Sequence, residues 1–280
     1  MAVETADSAS LAELRTRPAR GRTVWSALWP KLVAVGLFIG VWQVIVWTGW
    51  KPQYILPSPF TVLDQLVHDL GSWTSAAWVT LQRAVIGFAV AIVVGGIVGI
   101  AVSRSRILRA GVGSMITGLQ TMPSVAWYPL AIVLFSLSSK AILFVVVLGA
   151  APSIANGIID GIDNVPPVLM RAGWVLGARG IGALYHIVVP AALPSVVSGL
   201  KQGWAFAWRS LMAGELITIL PGHLGLAQQL NASAQNADYV GVYEAMIVIF
   251  VIGVLVDAVF FGTIVRAIRR SYGLIDAAQS

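Results

Sequence analysis

Six stretches of this chain are apolar and nearly free of Asp, Glu, Lys and Arg, each near the length of about 20 residues that a helix needs to cross roughly 30 Å of hydrocarbon. Between Lys31 and Lys51 lies LVAVGLFIGVWQVIVWTGW, and between Arg83 and Arg104 lies AVIGFAVAIVVGGIVGIAVS. Arg109 to Lys140 encloses no charged residue and suits one span with a broken entry. A fourth run, AILFVVVLGAAPSIANGII, follows Lys140 and stops at Asp160. A fifth extends from Ala191 to Leu220 and carries Lys201, Arg209 and Glu215, and a sixth from Val242 to Val265 carries Glu244 and Asp257. Together they predict an all-α, polytopic membrane protein of six transmembrane helices. Composition agrees: 58% of residues are hydrophobic and 11% charged, against about 25% charged in a soluble domain. So few charges cannot cover a soluble surface. A soluble enzyme, a disordered chain and, with no Cys at all, a disulfide scaffold or thiolate metal site are excluded.

The net charge of +6 therefore concerns membrane sidedness. Lys and Arg accumulate in cytoplasmic loops. With the N-terminus inside, the inner side receives Arg15, Arg17, Arg20, Arg22, Lys31, Arg104, Arg106, Arg109, Arg171, Arg179, Arg266, Arg269 and Arg270, and the outer side only Lys51 and Lys140. Both termini are expected in the cytoplasm of an inner-membrane protein. Trp25, Trp29, Trp47, Trp50, Trp73 and Trp78 flank expected span ends, as an interfacial aromatic belt does. The chain then divides into a basic tail over 1–24, a membrane domain over 25–272 and a short tail over 273–280. The first apolar run is too long for a signal-peptide core and no small-x-small cleavage site follows it, so it is expected to stay as an anchor.

Gly87, Ala91, Gly95, Gly99 and Ser103 recur every four residues and place small side chains on one face of the second span. Such a face admits a close helix neighbour, either within the subunit or across a dimer seam. Pro123 and Pro129 interrupt the third segment. Proline removes a backbone donor and blocks the carbonyl four residues back, and broken helix at membrane depth is tolerated where it is buried in protein or lines a cavity. Gln120, Pro123, Ser124 and Trp127 are thus candidates for lining a path, with a simple packing kink as the alternative. Residues 160–189 form the largest inner loop. Asn164 is a candidate N-cap, Pro166 and Pro167 suit a first helical turn, and Val168, Leu169, Ala172, Val175 and Leu176 follow a helical period that Gly177 can stop. A second short helix is expected from Ile181 to Val188, ending before Pro190. Two such helices make either a docking surface or a pair lying on the membrane.

RAGWVLGARGIGALYHIVVPAALP resembles the "EAA" loop of ABC importer permeases, which reads E-A-A, three residues, G, nine residues, I-x-L-P. Gly177 holds the Gly position, with Ile187 and Pro190 at the family spacing and Ala172 at the first Ala. Arg171 stands in place of the Glu, Gly173 of the second Ala and Val189 of the Leu. ILPSPFTVL, TLQRAVIGFAVAIVVGGIVG, MPSVAWYPLAIVLF, RSLMAGELI and HLGLAQQL are similar to segments of permeases of the nitrate/sulfonate/taurine group, with Gly214-Glu215 where that group reads Ala-Glu and His223 at the first Gly of its Gly-Leu-Gly turn.

The resemblance implies a type I ABC importer permease fold and a homodimer of twelve spans. It implies a cytoplasmic ATPase dimer docked on the loop through Arg171, Ala172, Gly173, Leu176, Gly177, Ala178, Ile187 and Pro190, and an extracytoplasmic binding protein that delivers a sulfonate, taurine, nitrate or similar solute. The chain should hold no cofactor of its own, ATP and Mg being bound by the partner. Consistent with this, Lys31, Lys51, Lys140 and Lys201 follow Pro, Trp, Ser and Leu, so no Walker A loop exists in the sequence.

Ionisable residues within spans are functional suspects. Arg209 is the candidate for meeting an anion, or else pairs with Glu215 or Glu244; Glu215 joins it as a path candidate. Lys201 is expected to snorkel towards the inner face, and Asp257 to make a structural hydrogen bond or to serve the path. His68, His186 and His223 do not converge on a metal site, and no catalytic constellation stands out. Two other functions are weighed: a vitamin or vitamin-precursor permease of the same class, and an ion-coupled secondary transporter using Glu215, Glu244 and Asp257, which would need no ATPase.

Overall fold

A computed structural model describes residues 20–218 and 224–271, with side chains from Trp29 onwards except those of Arg269 and Ser271. The basic tail with Arg15 and Arg17, the side chains of Arg20, Arg22 and Trp25, the turn residue His223 and the C-terminal tail lie outside the described residues. The chain divides into two units, at Leu63.

In the first unit, α1 (Arg20–Trp47) holds the first apolar run. Its outward-facing Leu32, Val33, Leu37, Phe38 and Val41 are exposed, the reverse of a soluble helix and the pattern expected where lipid is the solvent. The Pro-Ser-Pro segment has a local explanation. Ser58 caps α2 (Pro59–His68), the helix within which the division at Leu63 falls, its Oγ accepting from the Thr61 N–H at 3.1 Å, while Pro59 occupies a first-turn position where no N–H is needed.

In the second unit, α3 (Leu70–Arg104) is followed by α4 (Arg106–Thr121), a single 3₁₀ turn over Ser124–Trp127, and α5 (Tyr128–Phe135). Then come α6 (Ser139–Asp163), α7 (Pro167–Val175), α8 (Val189–Ile217), α9 (Leu226–Gln235), α10 (Tyr239–Leu255) and α11 (Gly262–Ser271). Five helical runs are long and apolar enough to span a membrane, and a sixth span results if α4 and the Ser124–Phe135 segment, bent by 107°, count as one. The break falls at Pro123, where the expected broken entry was placed.

The second span differs from expectation. It starts at Leu70 rather than after Arg83 and is 35 residues long. Arg83 does not end it because a guanidinium held by a carboxylate need not leave the membrane. Trp73 is likewise not an interfacial belt residue; it is buried, and its indole N–H donates to Glu244 Oε2 at 2.9 Å.

Helix α6 is the centre of the unit, with α3 on one side and α8 on the other. The stripe of small residues on α3 meets α6 inside the subunit. A Cβ placed at Gly95 would lie 2.6 Å from the Ala151 carbonyl oxygen, and one at Gly99 2.9 Å from that of Ala155. Of the two sequence alternatives, the intrasubunit contact is the one formed. On the opposite side, Gly157 faces Gly199, where a Cβ on either would lie 2.6 Å from the other's Cα. Such backbone approaches replace the hydrophobic drive that is absent in lipid with dispersion contacts over a long seam. Larger side chains fill the remainder: Ile142, Val146, Ile154, Trp204, Trp208 and Leu211 are buried together.

Candidate functional site

Helix α7 starts without a side-chain cap. Pro166 occupies the cap position and Pro167 the first turn. Asn164 is not its N-cap, contrary to the sequence expectation; it closes α6, donating from Nδ2 to the Asp160 carbonyl at 2.9 Å. The stop is as the sequence predicts. Gly177 has φ +86, its N–H donates to Trp174 O at 3.1 Å, and the Ala178 N–H donates to Gly173 O at 2.8 Å. These two bonds make a Schellman motif, which needs a left-handed residue at that position. Gly173 is buried against Ile187, whose Cδ1 occupies the space a Cβ would take. The position of the family's second Ala, Gly173 here, thus packs against the family's Ile position, Ile187, in a folded-back loop, while Gly177 supplies the turn between them.

The second half of the loop departs from expectation. The short turn Ile181–Ala183 runs through a π turn at Leu184–Val188 directly into α8. It does not end before Pro190, because Pro190 sits in the first turn of α8, where its missing N–H costs least. The widened π turn lies just upstream, where the proline ring would crowd the preceding carbonyls. A single helical run of 37 residues, Ile181–Ile217, results. Around it the loop turns apolar side chains outwards: Trp174, Val175, Leu176, Ile181 and Tyr185 are 62 to 88% exposed. Arg171, Ala172 and Gly177 are also exposed; Ala178, Ile187 and Pro190 are half-buried.

The path candidates separate into two groups. Gln120, in the last turn of α4, donates from Nε2 to Ser153 Oγ at 3.1 Å and accepts from Asn156 Nδ2 at 3.3 Å. Pro123 and Ser124 follow in the break, exposed and half-buried, and Trp127 packs beside buried Tyr128 and Ala131. Ser153 and Asn156 on α6 were not anticipated, being small polar residues in an apolar run.

Glu215 is not available to a passing solute, a correction to its reading as a path residue. It is fully enclosed. Its carboxylate accepts from Arg83 Nη1 at 2.8 Å, from Thr80 Oγ1 at 2.9 Å and from the Ala227 N–H at 3.3 Å. Arg209 therefore pairs with neither Glu215 nor Glu244. Its side chain is exposed, lies over the Phe206 ring at 4.6 Å, and donates from Nε to the Ala205 carbonyl at 3.1 Å. No carboxylate lies within ion-pair distance of Arg209 among the described residues. Lys201 and Asp257 pair with each other at 3.1 Å, each side chain about half exposed, so Lys201 does not reach free for the inner face. Arg83 and Thr80 escaped sequence reasoning. The available signal was a charge flush against an apolar run, with an unmatched carboxylate in another span.

A broken third span, a folded inner loop and polar groups held at membrane depth define a multi-pass helical permease. The chain belongs to the family described as "Binding-protein-dependent transport system inner membrane component", whose model matches residues 87–271. It is a permease subunit of an ABC importer in the inner membrane, of the nitrate/sulfonate/taurine group. The taurine transport system permease protein of Escherichia coli is 29% identical over 209 residues, 69% of this chain and 76% of that protein. The nitrate import permease protein of Leptolyngbya laminosa is 24% identical over 267 residues, 91% of this chain and 94% of that one. An inward-facing methionine ABC transporter shares the type I importer fold, with a TM-score of 0.55 and 22% identity over 68% of this chain and 93% of that one.

Proposed function

We propose that two copies of this chain form a permease of twelve spans that admits a small anionic solute, delivered by an extracytoplasmic binding protein and driven by a separate cytoplasmic ATPase that binds ATP and Mg. The guanidinium of Arg209 carries the anionic reading. It sits eight residues before the end of α8, exposed on the surface of a span and without a carboxylate partner among the described residues. A cation at that depth belongs on a water-filled cavity or a protein neighbour rather than in lipid. Gln120, Pro123, Ser124 and Trp127 complete the path in this reading, and the nitrate and taurine permeases among the relatives favour the same class of cargo.

The thirteen-to-two bias of basic residues supports cytoplasmic termini. That orientation puts the 160–189 loop inside, and its outward-facing Trp174, Val175, Leu176, Ile181 and Tyr185 suit an apolar groove on the ATPase. Arg171 then presents a cation to the partner where the family presents a carboxylate.

Uptake by the complex reconstituted in vesicles with its binding protein and ATPase tests the reading. With labelled taurine or nitrate as cargo, Arg209→Ala is expected to lower uptake about tenfold or more, the size of one lost charged hydrogen bond, and Arg209→Lys to lower it less. Full uptake of an anion by a folded Arg209→Ala complex refutes the role of this residue.

A further inference from the structure

We infer that Glu215 is the positioning residue through which the inner loop moves the outer end of the permease; this rests on the ATP-driven reading above. Two features meet at Glu215. The first is the uninterrupted helical run Ile181–Ile217, about 55 Å long at 1.5 Å per residue. Its first turns belong to the loop that faces the ATPase, and its last turn holds Glu215. Neither Pro190 nor Pro194 breaks it. Because no loop separates them, a displacement imposed at Ile181 is passed to Glu215 along one helical run, whose π turn at Leu184–Val188 and two prolines set where it bends.

The second feature is what the carboxylate grips there. Thr80 and Arg83 on α3 and the Ala227 N–H in the first turn of α9 all donate to it. Thr80 also accepts from the Leu226 N–H at 2.8 Å. Gln228 closes the set: its Oε1 accepts from the Gly225 N–H at 2.8 Å and from Arg83 at 3.3 Å, and its Nε2 donates to the Thr218 carbonyl. Gly225 lies so close to the Glu215 carboxylate that a Cβ has no room. Thus the end of α8, the second span and the start of α9 are joined at one enclosed anion. A buried ion pair contributes little net stability once desolvation is counted, but its geometry is directional and costly to break. That combination suits transmission more than cohesion. Movement of α8 must carry α9, whose far end at Ala234 and Gln235 is exposed.

The chain has no Cys, so Ala234→Cys gives one thiol per permease subunit, whose labelling is followed on the permease band of the complete complex of permease, ATPase and binding protein. The probe is a membrane-impermeant maleimide, applied outside vesicles without nucleotide and with the ATPase trapped in its ATP-bound state. ATP trapping is expected to change the labelling rate in the otherwise unaltered complex. Glu215→Gln should abolish that change and lower uptake about tenfold or more, as for one lost charged hydrogen bond, while the partner still hydrolyses ATP. Thr80→Val should act in the same direction more weakly, and Arg83→Lys, which keeps a cation on the carboxylate, should restore part of the response that Arg83→Met loses. ATP-dependent labelling and uptake preserved in Glu215→Gln overturn the inference. Failure of both Glu215→Gln and Thr80→Val to assemble also overturns it, because the network is then a structural pin only. If the unaltered complex takes up no solute on ATP, the underlying functional reading falls instead.

Discussion

Gly95 and Gly96 are neighbours on α3, yet adding one methyl to each should have opposite consequences. At Gly95 the new Cβ lies 2.6 Å from the Ala151 carbonyl oxygen and 2.9 Å from Ile154 Cβ. Ordinary carbon contacts are about 3.5–4.0 Å, so α3 and α6 must separate by several tenths of an ångström along a seam set by backbone approach. Overpacking of this kind costs about 1–3 kcal/mol, and about 2 kcal/mol is a change of roughly 30-fold in the folded ratio. At Gly96 nothing lies within 4 Å, and Gly96→Ala should stay within about 0.5 kcal/mol of the parent. Helix propensity does not confuse the comparison, because both residues sit in the same span and a separated span stays helical in the bilayer. The assay is denaturant or thermal unfolding of each purified variant in the same detergent, read by Trp fluorescence. If Gly95→Ala is as stable as Gly96→Ala, the close α3–α6 seam is wrong.

Gly177→Val should strain a backbone at φ +86, costing about 1–3 kcal/mol locally. The expected outcome is reduced transport-coupled ATP hydrolysis with normal membrane insertion, and Gly177→Asn should be milder; unchanged coupling in Gly177→Val counts against the loop's role. Asp257→Asn leaves Lys201 without its partner at membrane depth and should destabilise by about 1–3 kcal/mol. Adding Lys201→Met should recover most of the loss in a double-mutant cycle, whereas additive losses refute the pairing. The His68 pKa is raised, chiefly by its hydrogen bond to the Asp64 carbonyl and next by the Asp64 charge. The sign follows: the stabilisation is complete below the unfolded value of about 6.5 and is lost as pH rises through the higher folded value. Asp64→Asn should lower the His68 titration midpoint measured by NMR, and no change would rule out the charge contribution.

The stop of the loop's first helix was legible because a single residue dictates its backbone. Gly177 is at a left-handed position, a role visible in the residue type, whereas Pro190 read as the end of a short helix and instead sits in the first turn of α8. The glycine spacing on the second span was legible for the same reason, although which helix it meets was not. The Glu215 network was not legible, since Arg83 and Glu215 are far apart in sequence and a hydropathy window halts at Arg83. A charge reads as a boundary until its partner is known, so the start of the second span was missed together with Trp73 and Glu244. Arg209 shows the converse. Its nearest carboxylate in sequence, Glu215, was the natural partner, but Arg83 approaches that carboxylate from another span.

The outward-facing Trp174, Val175, Leu176, Ile181 and Tyr185 have a consequence for the life of the subunit. An apolar cluster of this kind in water is what chaperones and proteases bind. A copy lacking its ATPase displays that cluster continuously, and a copy docked as proposed hides it. If the loop docks as proposed, cells making this permease in excess of its ATPase should clear the surplus, the exposed cluster marking an orphan subunit.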